Sequence, residues 1–443
     1  MKRVAAFTTA RVCGGAGLLL VCLVLFRSVP LAQGPGADHF VGMWATAPVA
    51  RVTPPAGQAP PAGRGGAAPL NFNNQTLRQI VHGSIGGDRV RVVFSNVFGT
   101  VPLAIGAAHV GLRDKDAALV PGSGRALTFS GASTATIPAG AVLFSDPVNL
   151  AVQPLADLAI DLYLPGDLAA SASPLTVHNG SRQTNYVSPA GNHAGAPDMP
   201  VQTTTASWFF LSRVEVRAPQ GTSAFVMFGD SITDGYNSTP NANNRWPDLF
   251  ARRLKNSSGQ VDAGVLNLGI DGNRVMVDGS GVSALARFDR DVIAQTGVTH
   301  VVLLEGINDF GMAGQGPRPG AADLIAGHSQ LIARARARGL RIYGATLLPY
   351  EGTTFPGYWS PEGESARQKL NEWIRTSNAY DGVIDFDAVV RNPAQPTRIL
   401  PQYDSGDHLH PNDAGYQAMA NAVDLTLFRN AAKPVREAKP VAR

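Results

Sequence analysis

Three short segments of the 443-residue chain carry residue types that together fit acyl transfer. Gly229-Asp230-Ser231-Ile232 sets a serine just after an apolar run. Gly306-Ile307-Asn308-Asp309 sets an amide side chain after another, and Asp407-His408-Leu409-His410-Pro411 contains an Asp-x-x-His pair. Acyl transfer to a hydroxyl needs a nucleophile, a base for its proton, a carboxylate to orient the base, and donors for the oxyanion. Ser231 is the candidate nucleophile, and its backbone N–H faces the same cleft as its hydroxyl. His410 is the candidate base, because neutral imidazole takes and returns a proton at ordinary pH. Asp407, three residues earlier in a loop, can hold the other ring nitrogen. His408 competes as base, but the proline after His410 and the spacing to Asp407 favour His410. Asn308 offers a side-chain N–H to the oxyanion, and Gly272, after a third apolar run, allows the close backbone approach of a further N–H donor. A lone Gly-Asp-Ser would read as a turn cap and a lone acidic, histidine-bearing loop as solvated surface. Their joint occurrence overrides both readings. No cysteine or further histidine cluster completes a metal set, so neither metal nor cofactor is expected.

These residues need elements to hold them. From Ala218-Pro219-Gln220-Gly221 onward, apolar strands alternate with helices. The strands are read at Ala224–Phe228, Val265–Leu268, His300–Leu304, Arg341–Thr346 and Val383–Phe386. The helices are read at Trp246–Leu254, Val282–Gln295, Ala321–Arg338, Pro361–Thr376 and Asn412–Leu427. Such alternation predicts an α/β fold, a three-layer, doubly wound parallel sheet, with sites at the carboxyl ends of its strands. Ser231 and Asn308 follow two different strands, so this topology brings them together. Before it, from Gln75 to about Val216, short alternating segments and turns predict an all-β sandwich. Its strands are read at Thr76–Val81, Arg89–Phe94, Leu103–Val110, Ala141–Leu150, Leu158–Leu164 and Trp208–Val216. The expected division is residues 1–34 as a secretory signal, 38–218 as the β-domain with a Pro/Gly-rich loop at 51–70, 219–430 as the α/β domain, and 431–443 as a basic, solvated tail.

The signal rests on Lys2, Arg3 and Arg11 ahead of the apolar run Ala16–Phe26, which is too short to span a bilayer, with cleavage expected between Ala32 and Ala37. It implies a secreted or periplasmic protein with no membrane span in the mature chain. Both cysteines, Cys13 and Cys22, would leave with it. The formal charge of +4 also changes, since Lys2, Arg3, Arg11 and Arg27 precede every acidic residue and their loss leaves 33 basic against 33 acidic groups. A body without excess positive charge argues against nucleic acid as partner.

The Gly-Asp-Ser-Ile block, the glycine block at Asn267–Asn273, Gly-x-Asn-Asp and Asp-x-x-His-Pro, in that order, resemble the SGNH/GDSL hydrolase family. The resemblance covers about Phe225 to Phe428 and implies a flavodoxin-like form of the three-layer, doubly wound sheet. Carried onto this chain, it implies Ser231 as nucleophile, His410 as base, Asp407 as its orienting carboxylate, and Ser231, Gly272 and Asn308 as the oxyanion hole. Within the glycine block the family spacing from Asn267 favours Gly272 over Gly269. Ile232 stands where many members have leucine. The whole chain looks like exported bacterial esterases and acylhydrolases with an N-terminal β-domain. The expected activity is hydrolysis of carboxylic esters with small acyl groups through an acyl-enzyme, on a small-molecule or polysaccharide ester, with carbohydrate deacetylation as one form. A lipid-directed, lysophospholipase-like esterase is the alternative. A non-catalytic carbohydrate binder using Trp44, Trp208 and Phe209 is the third reading. Loops 311–320 and 351–360, with Phe310, Met312, Phe355, Tyr358 and Trp359, are expected to line the cleft.

Overall fold

A computed structural model describes residues 39–51, 71–257, 261–312 and 318–428. The expected signal, the Pro/Gly-rich stretch from 52 onward, part of the 311–320 loop and the basic tail lie outside them.

The apolar segments after residue 222 form five parallel strands, Ser223–Gly229, Ala263–Gly269, Val298–Leu304, Arg341–Ala345 and Val383–Ile384. Their spatial order is second, first, third, fourth, fifth, the order of flavodoxin-like sheets. Their runs are almost wholly buried, which is why they read as continuous apolar stretches rather than as alternating ones. The helices fall into two contacting sets. Trp246–Asn256, Phe386–Val390 and Asp413–Ala422 form one. Ala284–Phe288, Ile307–Gly311, Ala321–Ala337 and Pro361–Thr376 form the other. Local chemistry fixes several starts. Ser360 accepts from Gly363 N ahead of Pro361, and Asn412 accepts from Gly415 N. The helix expected at 282–295 is shorter. Ser283 caps it, Val282 is tied by its carbonyl to Asn273 Nδ2, and a π turn follows at Asp289–Ile293.

The N-terminal half is made of antiparallel sheets, the largest with six strands, and three of the expected strands are divided, Ala141–Leu150 into Val142–Phe144 and Val148–Val152. Leu103–Val110 breaks at Gly106, whose N–H turns to the Tyr163 carbonyl. Trp208–Val216 breaks at Phe210, which has φ +56° and donates to the Thr176 carbonyl.

The two halves share one apolar core that runs from Val41 to Phe428. The strand Phe40–Ala45 packs on Ala263–Gly269. Ser84 Oγ donates to the Met43 carbonyl at 2.7 Å and accepts from Val265 N at 2.8 Å. Trp208 lies in this seam, edge-on to Trp44 at 4.9 Å and donating from its indole to the Ile80 carbonyl at 2.8 Å. Trp44, Trp208 and Phe209 are all buried, so they fill the core and present no platform to a sugar. Trp208→Ala should therefore lower stability by about 3–5 kcal/mol, the usual cost of emptying a buried aromatic site. A urea-unfolding midpoint equal to wild type would contradict this placement.

Candidate active site

Strand ends supply the first parts. The strand Ser223–Gly229 ends at Asp230, whose carboxylate accepts from Ile232 N at 2.9 Å and starts a one-turn helix at Ser231. Ser231 is buried, and its hydroxyl donates to His410 Nε2 at 2.8 Å. His410 Nδ1 in turn donates to Asp407 Oδ2 at 2.6 Å. This network fixes the tautomer, with hydrogen on Nδ1 and the lone pair of Nε2 facing the serine. Asp407 Oδ1 accepts from the backbone N–H groups of Leu409 and His410, so the same carboxylate shapes the loop and aims the ring. Burial alone would raise its pKa. The bond from His410, that residue's charge and the two backbone donors outweigh burial and hold it at about 2. His408 is exposed and pairs with Asp404, outside this chain of bonds.

Asn308 is buried after the third strand of the sheet. Its Nδ2 donates to the Asn273 carbonyl at 2.9 Å, and its Oδ1 accepts from the Tyr358 hydroxyl at 2.8 Å. One Nδ2 hydrogen is thus spent on the residue after Gly272, and the other stays available. Gly272 has φ +73°, a region that favours glycine, and a Cβ there would meet Ser280 Oγ at 2.6 Å. Among the described residues neither its N–H nor that of Ser231 meets an acceptor. Gly269 differs, because its N–H is taken by Asn267 Oδ1 at 3.0 Å. Asp309 accepts from Val275 N and Met276 N at 2.8 and 3.2 Å, pinning the chain that follows Gly272. Burial pushes its carboxyl up to about 6 against these donors.

Beneath these loops Arg287 is fully buried. It donates to the carbonyls of Gly229 and Leu268 and to Asn273 Oδ1, each at 2.8 Å, and so binds the ends of two strands to the glycine loop. Asp230 and Glu305 lie near it, and burial raises both, Asp230 to about 7.

The segment 236–244 forms a wall beside the histidine. The Tyr236 ring lies 4.4 Å from the His410 ring, centroid to centroid. Asn237, at φ +65°, donates from Nδ2 to Asp407 Oδ2 at 3.0 Å and to Ser405 Oγ at 3.0 Å. Thr239 N and Asn244 Nδ2 hold Asp413 at 2.9 and 2.8 Å. Sequence reasoning did not reach Asn237. Its only local signal is the turn residue after Gly235-Tyr236, and its bond spans 170 residues. Of the expected cleft residues, Phe355 sits 6.1 Å from the His410 ring and Met312 lies by Gly272. Phe310 and Tyr358 are buried, and Tyr358 serves Asn308.

A serine hydroxyl bonded to an oriented imidazole, beside free N–H donors, can attack a carbonyl and shelter the charge that develops. Such a site on an α/β sheet defines a hydrolase of the acyl-transfer class. Residues 227–418 match the model of the GDSL-like lipase/acylhydrolase family. The protein is a carboxylic ester hydrolase. Similar solved structures include an aryl esterase from M. smegmatis, with 16% identity, 45% of this chain and 95% of that one covered, and a TM-score of 0.37. A carbohydrate acetylesterase from Sinorhizobium meliloti shows 14% identity, 45% and 95% coverage and a TM-score of 0.36. A variant of an acetyl-xylooligosaccharide esterase from Geobacillus stearmophilus shows 21%, 46% and 94%, and 0.36. No curated protein matches the sequence.

Two outcomes follow from the Asp407 geometry. Asn237→Ala frees one side of the carboxylate and should lower kcat about tenfold with a small change in KM, since small misplacements near reacting groups are costly. An unchanged kcat would show that the Asn237 bond does not position Asp407. The second outcome concerns pH. The folded pKa of Asp407, about 2, lies below the ordinary carboxylate value of about 4. Its contribution to stability is therefore present above about pH 4 and is lost as pH falls toward 2. The stability gap between wild type and Asp407→Asn, measured by urea unfolding, should narrow as pH is lowered from 5 toward 2. A gap independent of pH would contradict the depressed carboxyl.

Proposed function

We propose that the protein is an exported serine esterase that removes small acyl groups through an acyl-enzyme. The observation that carries this reading is the unbroken chain from Asp407 through His410 to the Ser231 hydroxyl, at 2.6 and 2.8 Å. Ser231 Oγ attacks the ester carbonyl while its proton passes to His410 Nε2. Asp407 holds the imidazolium that results. The oxyanion accepts from Ser231 N–H, Gly272 N–H and the uncommitted Asn308 Nδ2 hydrogen, each donor worth about 2.7–4 kcal/mol in sites of this kind. Collapse breaks the bond to the alcohol, and His410 returns the proton to the leaving oxygen. Water, deprotonated by His410, then releases the acid and Ser231.

A Cβ on Gly272 would meet Ser280 Oγ at 2.6 Å and the Met312 methyl at 3.1 Å, and such close neighbours support a short acyl group. Acetyl esters of carbohydrates fit that size. Met276 and Val277, exposed just after the glycine loop, favour a second reading in which an apolar acyl chain lies along that rim. Export rests on the basic and apolar N-terminal segment. The two helix sets support a three-layer α/β body, and the antiparallel sheets before it support a sandwich.

Hydrolysis of p-nitrophenyl acetate, butyrate and octanoate by wild type and Ser231→Ala tests the reading. Turnover should fall with chain length and drop by about 10³-fold or more in Ser231→Ala. Rates that rise with chain length would give the lipid-directed reading first place. Normal turnover in folded Ser231→Ala would remove Ser231 from the chemistry.

A further inference from the structure

The segment Gly180–Gln183, from the N-terminal half, meets both walls of the site. At one wall Gly180 runs against Asp271, the residue before Gly272, and a Cβ on Gly180 would stand 3.2 Å from Asp271 Oδ2. At the other wall the Arg182 guanidinium lies 4.6 Å over the Tyr236 ring, the ring that lies tilted against His410. The segment is held firmly. The Arg182 carbonyl accepts from Asn241 N at 2.8 Å, Thr184 N donates to Asn241 Oδ1 at 2.7 Å, and Gln183 Nε2 donates to Asn243 Oδ1 at 2.7 Å.

Arg182 has φ +50°, a conformation that a long side chain adopts only where its surroundings over-determine it. It is half-buried, and among the described residues its guanidinium has no hydrogen bond and no ion pair. Asp271 is the nearby carboxylate but forms no hydrogen bond or ion pair with it among the described residues; burial first and the charge of Asp234 second raise the Asp271 carboxyl, and the Arg182 charge lowers it. Asp234 is itself engaged with His178 Nε2 at 3.0 Å. Support of His410 does not explain the arginine either, since a cation beside an imidazolium works against it. Five N–H donors at the mouth of the site remain for a substrate.

The leaving alcohol must lie on the His410 flank, because His410 hands it the proton, whereas Gly272 and Asn308 mark the acyl oxygen. We propose that Arg182 binds a carboxylate carried by the alcohol part of the ester, so that the preferred substrates are acyl esters of acidic alcohols such as acidic sugars or aromatic hydroxy acids. This proposal rests on the esterase reading above.

Two acetates with the same scissile bond test it, anionic 4-acetoxybenzoate and neutral methyl 4-acetoxybenzoate. Wild type should favour the anion, and Arg182→Ala should reduce the ratio of the two kcat/KM values by about tenfold, with Arg182→Lys restoring part of it. A ratio unchanged in Arg182→Ala, whether or not both rates fall together, would overturn the proposal. A second measurement needs no turnover. Calorimetric binding of 4-hydroxybenzoate to Ser231→Ala protein should weaken about tenfold when Arg182→Ala is added, and equal binding would also overturn the anion site. Absence of Ser231-dependent hydrolysis of the neutral ester would instead overturn the esterase reading.

Discussion

A serine hydroxyl attacks a carbonyl only when its proton has a prepared destination, and this requirement governs the site. The Asp407 carboxylate meets it with both oxygens. Oδ1 takes two backbone N–H groups of its own loop, and Oδ2 takes His410 Nδ1 and Asn237 Nδ2. Four donors on one carboxylate leave the imidazole little freedom, and Nε2 then points at Ser231. The same bonds keep the carboxylate ionised well below neutral pH, so the orienting charge is in place at the pH where neutral imidazole acts as a base.

The proposed oxyanion side depends on a separate buried anchor. Arg287 binds the carbonyl ends of two parallel strands to Asn273, while Asn308 and Asp309 pin the glycine loop from the third strand. Burying a guanidinium is expensive unless its donors are filled, and here strand-end carbonyls, Asn273 and Asp291 fill them. The wall from Tyr236 to Asn244 joins the two sides to the N-terminal half. It contacts Asp407 and Asp413 at one edge and Arg182, Gln183 and Thr184 at the other. The antiparallel half is thus built into the cleft. With His178 on Asp234, three residues beyond Ser231, it also reaches the helix that carries the serine.

What the sequence made legible was local. Ser231 and Asn308 follow buried parallel strands whose apolar runs are easy to see, and Asp407 and His410 sit three apart in one loop. Strand–helix alternation also made the parallel sheet legible, though not its strand order, since more than one doubly wound order fits such alternation. What stayed hidden were bonds between distant segments. Asn237 to Asp407, Tyr358 to Asn308, Arg182 over Tyr236 and His178 to Asp234 each join segments far apart in the chain, and no spacing rule announces them. In the N-terminal half, strand limits shifted where backbone geometry overrode pattern, at Gly106 and at left-handed Phe210. The aromatic residues Trp44, Trp208 and Phe209 illustrate a further limit, because residue type alone does not distinguish a core ring from a binding platform.

The central claim is that Ser231 forms the covalent bond to the acyl group. Labelling with a fluorophosphonate, followed by mass analysis of the peptides, tests it most directly. The account predicts one phosphonyl group per chain, on Ser231, with labelling slowed sharply in His410→Ala. Label on another residue, or equal labelling of folded Ser231→Ala, would contradict it.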